Sequence, residues 1–170
     1  MNITTLSAPL VIHSLPSHHT IQQSLLDCLN TLPHNSINHT DKITKTDWET
    51  DQQRPYWDIL RPHITPIIHQ FTQQSDILDY QLSEPWYQQY YQNDAHNWHR
   101  HPHSVYNVVY YLELPHDAHP TVLRNPLNIT QMITPNVQEG DILIFPSFIT
   151  HSSPPNPSVQ RKTIIAFNIV

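Results

Sequence analysis

What the chain has little of narrows its reading first. A single cysteine, Cys28, excludes an internal disulfide and fits a reducing cytoplasm. It sits in an apolar helical pattern, where a thiol fills the core rather than attacks a substrate. Basic residues are few: eight Lys and Arg stand against fourteen Asp and Glu, with a net charge of −6. They form no run, so binding to a nucleic-acid backbone is not expected. No apolar run approaches the ~18 residues of a membrane span. The first residues, Met1 to His13, lack the basic start of a secretory leader, and a cytoplasmic location is expected. One glycine against sixteen prolines is an odd balance for a chain rich in turns. Asn, Asp and Pro must make the turns, and Gly140 is expected to hold one that no other residue fits.

At 170 residues the chain has the length of one domain with a sizeable core. Residues 1–75 read as a mainly helical support segment. Leu6 to Leu15 reads as a short edge strand. Ile21, Leu25, Cys28, Leu29 and Leu32 recur at helical spacing, which predicts a helix over Thr20–Leu32. Residues 34–55 are polar around Trp48 and read as a long loop with one short strand at most. Trp57, Leu60, Ile64, Ile67, Ile68 and Phe71 predict a second helix over Tyr56–Gln74, disturbed by Pro62 and Pro66.

After Asp76 the period changes from helical to alternating. Strands are expected at Leu78–Leu82, Pro85–Tyr91, Val105–Leu114, Thr121–Arg124, Ile129–Ile133, Asp141–Phe145 and Arg161–Ile169. About eight short strands, separated by Pro, Asn and Asp turns, make residues 76–170 a double-sheet jelly roll. The fold class is mainly β (α+β), a cupin-like double-stranded β-helix with two N-terminal support helices.

Histidine is abundant, fourteen in all, and abundance alone carries no function. Spacing does. In an extended chain His99 and His101 leave on one face, and His151 is the third candidate. Three neutral imidazoles with open positions suit iron, zinc, copper or nickel. A pair one step later, His101 with His103, competes with the first, and Asp94 is the nearest acid that could replace one ligand. Arg161 opens the last strand. If Ile165 and Phe167 face the interior, Arg161 shares their face. A buried guanidinium needs a carboxylate, and no acidic strand residue suggests itself, which favours one brought by a small molecule.

The residues then form a longer pattern: Trp86, Tyr90, Asn93-Asp94, His99-Arg100-His101-Pro102-His103-Ser104, Val108-Val109-Tyr110-Tyr111 and Pro115. Gly140-Asp141-Ile142-Leu143-Ile144-Phe145-Pro146-Ser147, His151, and Arg161 through Phe167-Asn168 complete it. Over roughly residues 43–170 this resembles the 2-oxoglutarate- and Fe(II)-dependent oxygenases of bacteria and phages. The resemblance implies Fe(II) held by His99, His101 and His151, with 2-oxoglutarate as cosubstrate and O2 as oxidant. It implies Arg161 on the distal carboxylate and Tyr111 beside it, because Tyr110-Tyr111-Leu112 is similar to a prolyl-hydroxylase strand. Asn107, on the same face as Tyr111, would line the pocket. The product would be a hydroxylated small molecule or protein side chain, with succinate and CO2 released.

Two positions depart from the pattern. His101 stands where better-studied relatives carry a carboxylate, and Asn107-Val108 replaces Ser-Gly. Two other readings stay open: a jelly-roll metal-binding module without oxygenase activity, and a three-histidine dioxygenase independent of 2-oxoglutarate. The sequence sets neither substrate nor oligomeric state.

Overall fold

A computed structural model describes residues 9–170; the start of the expected Leu6–Leu15 strand lies outside them. Strand β1 (Val11–Ser14) precedes helix α1 (His18–Thr31), strands β2 (Asn35–Asn38) and β3 (Lys42–Thr46), and helix α2 (Pro55–Gln74). The remaining strands are β4 (Trp86–Tyr90), β5 (His96–His99), β6 (Tyr106–Glu113), β7 (Val122–Asn125), β8 (Asn128–Ile133), β9 (Asp141–Pro146), β10 (His151–Ser153) and β11 (Lys162–Ile169).

A seven-stranded sheet has the order β1-β9-β6-β11-β4-β3-β2, and a four-stranded sheet the order β5-β10-β7-β8. Between β4 and β11 the chain passes back and forth between the two sheets. That winding makes a double-stranded β-helix, as the strand pattern predicts. All the strand pairs are antiparallel.

The large sheet is covered on both faces. One face carries Val108, Tyr110, Ile142, Ile144, Ile165 and Phe167 against Leu25, Leu29, Leu60, Ile64 and Ile68 of the helices. The other carries Val109, Tyr111, Leu143, Phe145, Ile164 and Ala166 toward the small sheet. A strand buried on both faces reads as a continuous apolar run, and β9 and β6 have that character.

The helices stand close to their predicted places. Pro55 opens α2, where its missing N–H costs nothing. Pro62 and Pro66 stay within one continuous helix, held by the buried row Tyr56, Leu60, Ile64 and Ile68. The polar stretch after α1 forms two strands rather than a loop. Ile37 and Ile43 are its only apolar strand residues, and alternation gave no warning. Leu78–Leu82 is not a strand: Leu82 makes one isolated bridge to Ile169, and Leu78 is exposed.

Gly140 has φ +88°, and a Cβ there would lie 2.9 Å from His18 Cγ. Its N–H donates to the Tyr111 carbonyl, and its carbonyl accepts from the Leu15 N–H. The turn therefore ties β1 and α1 to the large sheet. Gly140→Ala is expected to cost about 1–3 kcal/mol, read as a lower thermal midpoint at unchanged far-UV dichroism.

Candidate metal centre

His99 ends β5, His101 follows in the next loop, and His151 opens β10. His99 and His151 are direct cross-strand partners. Ring centroids lie 4.2 Å apart for His99 and His151, 5.2 Å for His99 and His101, and 5.3 Å for His101 and His151. One candidate ligand atom from each lies within 4.8 Å of the other two. His103 is exposed at the cavity mouth and stands outside this cluster.

The donor set suits a borderline divalent metal, and the local bonds prepare it. His99 Nδ1 lies 2.7 Å from the Asn97 carbonyl and His151 Nδ1 lies 3.1 Å from the Ile149 carbonyl. A carbonyl only accepts, so each Nδ1 carries the proton and each Nε2 keeps its lone pair. Asn168 places its amide 3.3 Å from His101 Nδ1. Burial lowers all three imidazole pKa values, His101 to about 4 and His151 to about 2, so they are neutral at physiological pH.

Asp94 is no ligand. Its carboxylate accepts from the Thr44 and Tyr91 N–H groups and faces Lys42 Nζ at 3.3 Å. Asp41 is an acid that lines the cavity. It accepts from the Asn97 N–H and faces His96, whose ring stacks on His99 at 3.9 Å.

These histidines have a consequence for stability. The folded values for His96 and His101, about 4, and for His151, about 2, lie below the 6.5 of an exposed ring. As pH falls below 6.5, the unfolded chain takes up protons that the folded chain refuses, so stability is lost toward pH 4. Metal-free protein is expected to melt several degrees lower at pH 5 than at pH 7.5. Equal midpoints would mean that the rings are not buried neutral.

The cluster opens into a cavity of about 550 Å³ between the two sheets. Trp86 stacks on His101 at 5.6 Å, and Trp48 meets Trp86 edge-on at 4.8 Å. Trp48 thus pins its segment to the cavity wall.

Arg161 lies elsewhere. Its Nε and Nη2 donate to Glu113 at 2.7 and 2.9 Å, a two-pronged pair within the protein. Thr163, on the same face, also donates to Glu113. Glu113, at the end of β6, is the strand carboxylate that the sequence did not suggest. Arg161 is not among the cavity-lining residues. On β11 the cavity is lined by Ile164, Ala166 and Asn168, and Lys162 continues that face behind the cavity-lining Tyr90 and Ser153.

Lys162 is 1% exposed and directly opposite Tyr90 on β4. Its Nζ donates to the His119 carbonyl at 2.9 Å and to Ser153 Oγ at 2.5 Å, and lies 4.4 Å from the Tyr90 ring centre. Burial lowers its pKa to about 7. Tyr111 occupies the same corner; its hydroxyl accepts from the Thr121 N–H at 3.1 Å, and Thr121 lines the cavity.

Asn107 also lines the cavity, but far from that corner. It pairs across the sheet with Asn168, six residues beyond Lys162 and so about 20 Å along the strand. Lys162, Ser153 and Asn168 lie near the centre and were not singled out from the sequence. For Lys162 and Asn168 the available signal was the alternation along β11, which runs on both faces of the strand.

Three comparisons bear on the lineage. No curated protein matches the sequence. In fold, the chain is similar to a Pseudomonas putida prolyl-4-hydroxylase (TM-score 0.71, 12% identity, 96% of this chain and 92% of that one). It is also similar to an oxidoreductase of the 2OG-Fe(II) oxygenase family from Burkholderia pseudomallei (TM-score 0.75, 10% identity, 94% and 84% covered). A third is a Trichoplax adhaerens prolyl hydroxylase in complex with a hypoxia inducible factor peptide fragment (TM-score 0.70, 12% identity, 94% and 82% covered). A family model described as "Putative 2OG-Fe(II) oxygenase" matches residues 84–168, half of the chain, from just before β4 to Asn168 near the end of β11. By that match the chain belongs to the 2OG-Fe(II) oxygenase family.

Proposed function

We propose that the protein hydroxylates a small molecule or a protein side chain, using Fe(II), 2-oxoglutarate and O2, with release of succinate and CO2. The observation that carries this reading is the nearness of two groups. Three neutral imidazoles stand at one point of the cavity, and a buried ammonium lies directly behind its wall, against the cavity-lining Tyr90 and Ser153. His151 belongs to the first group, and Ser153, which holds Lys162, lies two residues further along β10. That is about 7 Å of extended chain, a separation that suits the two ends of a five-carbon dicarboxylate.

His99, His101 and His151 would hold Fe(II) through Nε2. Bound there, Fe(II) supplies the activation of O2 coupled to oxidative decarboxylation of the cosubstrate. The other residues position and protect. Lys162 would meet the distal carboxylate, in the role expected of Arg161, and its proton is stabilised by the charge it receives. Tyr111 keeps its hydroxyl proton free to donate to that carboxylate while its oxygen accepts from Thr121. Tyr90, which is 1% exposed, covers the ammonium and keeps water from it.

Anaerobic addition of 2-oxoglutarate to the Fe(II) protein is expected to produce a weak visible charge-transfer band. Succinate formation in air should follow. No band with Fe(II) demonstrably bound would favour the three-histidine reading without the cosubstrate, for which the lack of a carboxylate ligand speaks.

A further inference from the structure

Asn107 is 3% exposed, yet neither its Nδ2 nor its Oδ1 has a partner among the described residues. Buried amides are almost always paired, and an unpaired one carries the full cost of its lost hydration. This one lines the cavity. Directly opposite, Asn168 also lines it, and Asn168 Oδ1 is likewise buried without a partner. Turning the Asn168 amide over would let Oδ1 accept from His101 Nδ1–H. Asn168 Nδ2 would then face the cavity as a donor. The pair would thus offer two donors and one acceptor beside the metal centre.

These amides stand at the end of the cavity away from Lys162, so a dicarboxylate anchored on Lys162 does not reach them. They are left for the second substrate. Its chemistry must match theirs: neutral, with a carbonyl and an N–H close together. The cavity wall here is Trp86 and Trp48, and among the described residues the only Lys or Arg lining the cavity is Arg100. A net charge of −6 further disfavours a polyanion. We infer that Asn107 and Asn168 form a specificity site that binds an amide group, a peptide unit or carboxamide, of the molecule to be oxidised. This rests on the oxygenase reading for the word oxidised, but the binding does not.

The test uses N-methyl amides of simple carboxylic acids as probes, with the methyl esters of the same acids, which hold the carbonyl but no N–H. Binding to the metal-loaded protein is followed by tryptophan fluorescence, since Trp48 and Trp86 line the cavity. The amides are expected to bind at least about tenfold more tightly than the esters, the worth of one satisfied hydrogen bond. Asn107→Leu, close in volume, is expected to abolish that preference while raising the thermal midpoint by a few degrees, because an unpaired buried amide is gone. Asn107→Asp serves as a second variant: it keeps the acceptor for the ligand N–H but loses the donor to the ligand carbonyl, and is expected to bind both probes more weakly while still preferring the amide.

Equal binding of amides and esters by the wild-type protein would overturn the inference. So would an undiminished preference in Asn107→Leu. A lower midpoint in that variant would show the amide to be paired within the fold, and would overturn it too. Amide preference without the charge-transfer band would spare this site and sink the 2-oxoglutarate-dependent reading. The band without amide preference would do the reverse.

Discussion

His99→Ala and His151→Ala are each expected to reduce Fe(II) binding by well over 100-fold and to abolish succinate formation. Loss of an outer partner of a metal ligand alone costs about 10–100-fold, and loss of a ligand costs more. The two rings are cross-strand neighbours, each oriented by a backbone carbonyl. His103→Ala is the control: the ring is exposed and outside the cluster, and its removal should leave metal content near the wild-type level. Metal content by mass spectrometry and succinate yield decide the matter. Full cosubstrate turnover by either of the first two variants would refute the ligand assignment. Loss of metal in His103→Ala, with His99→Ala unaffected, would restore the later register.

The layered architecture was readable because it depends on patterns that chemistry enforces locally. The row Leu60, Ile64, Ile68 writes α2 into the sequence even with two internal prolines, and Asp141 to Phe145 can hardly be anything but a buried strand. The convergence of His99 and His151 was readable because period-two alternation and the jelly-roll winding bring those strands together. What stayed hidden has physical reasons. The hairpin formed by β2 and β3 is polar, and its pairing rests on backbone hydrogen bonds that leave no mark in side-chain pattern. The face of β11 stayed hidden for the opposite reason. Ile164 and Ala166 are as apolar as Ile165 and Phe167 because both faces of the large sheet are buried. Alternation says that Arg161 and Lys162 point opposite ways, but not which of them meets the cavity. The pairing of Arg161 with Glu113 spans 48 positions, and only the register of β6 against β11 reveals it.

That ambiguity makes the two adjacent cations a sharp experiment. Lys162→Met is expected to raise the 2-oxoglutarate KM by roughly 30–100-fold, the loss of a charge-assisted contact of about 2–3 kcal/mol. Arg161→Ala is expected to leave that KM within about twofold. It should instead lower stability by about 1 kcal/mol, since its half-buried pair with Glu113 joins β11 to β6. A pH profile separates the two roles further. Burial holds the Lys162 pKa near 7, below its ordinary 10.5. Between these values the unfolded chain holds a proton that the folded chain has released, so this residue makes stability rise with pH from about 7 to 10.5. In Lys162→Met that rise should vanish, and the metal-free variant should be the more stable protein at neutral pH. Cosubstrate binding should run the other way. The carboxylate needs the ammonium, so binding above pH 7 must take up a proton, and affinity should fall by up to about tenfold per pH unit. Isothermal titration in buffers of different ionisation heat would measure that uptake directly. An elevated KM in Arg161→Ala, with Lys162→Met unchanged and no proton taken up, would return the carboxylate to the guanidinium.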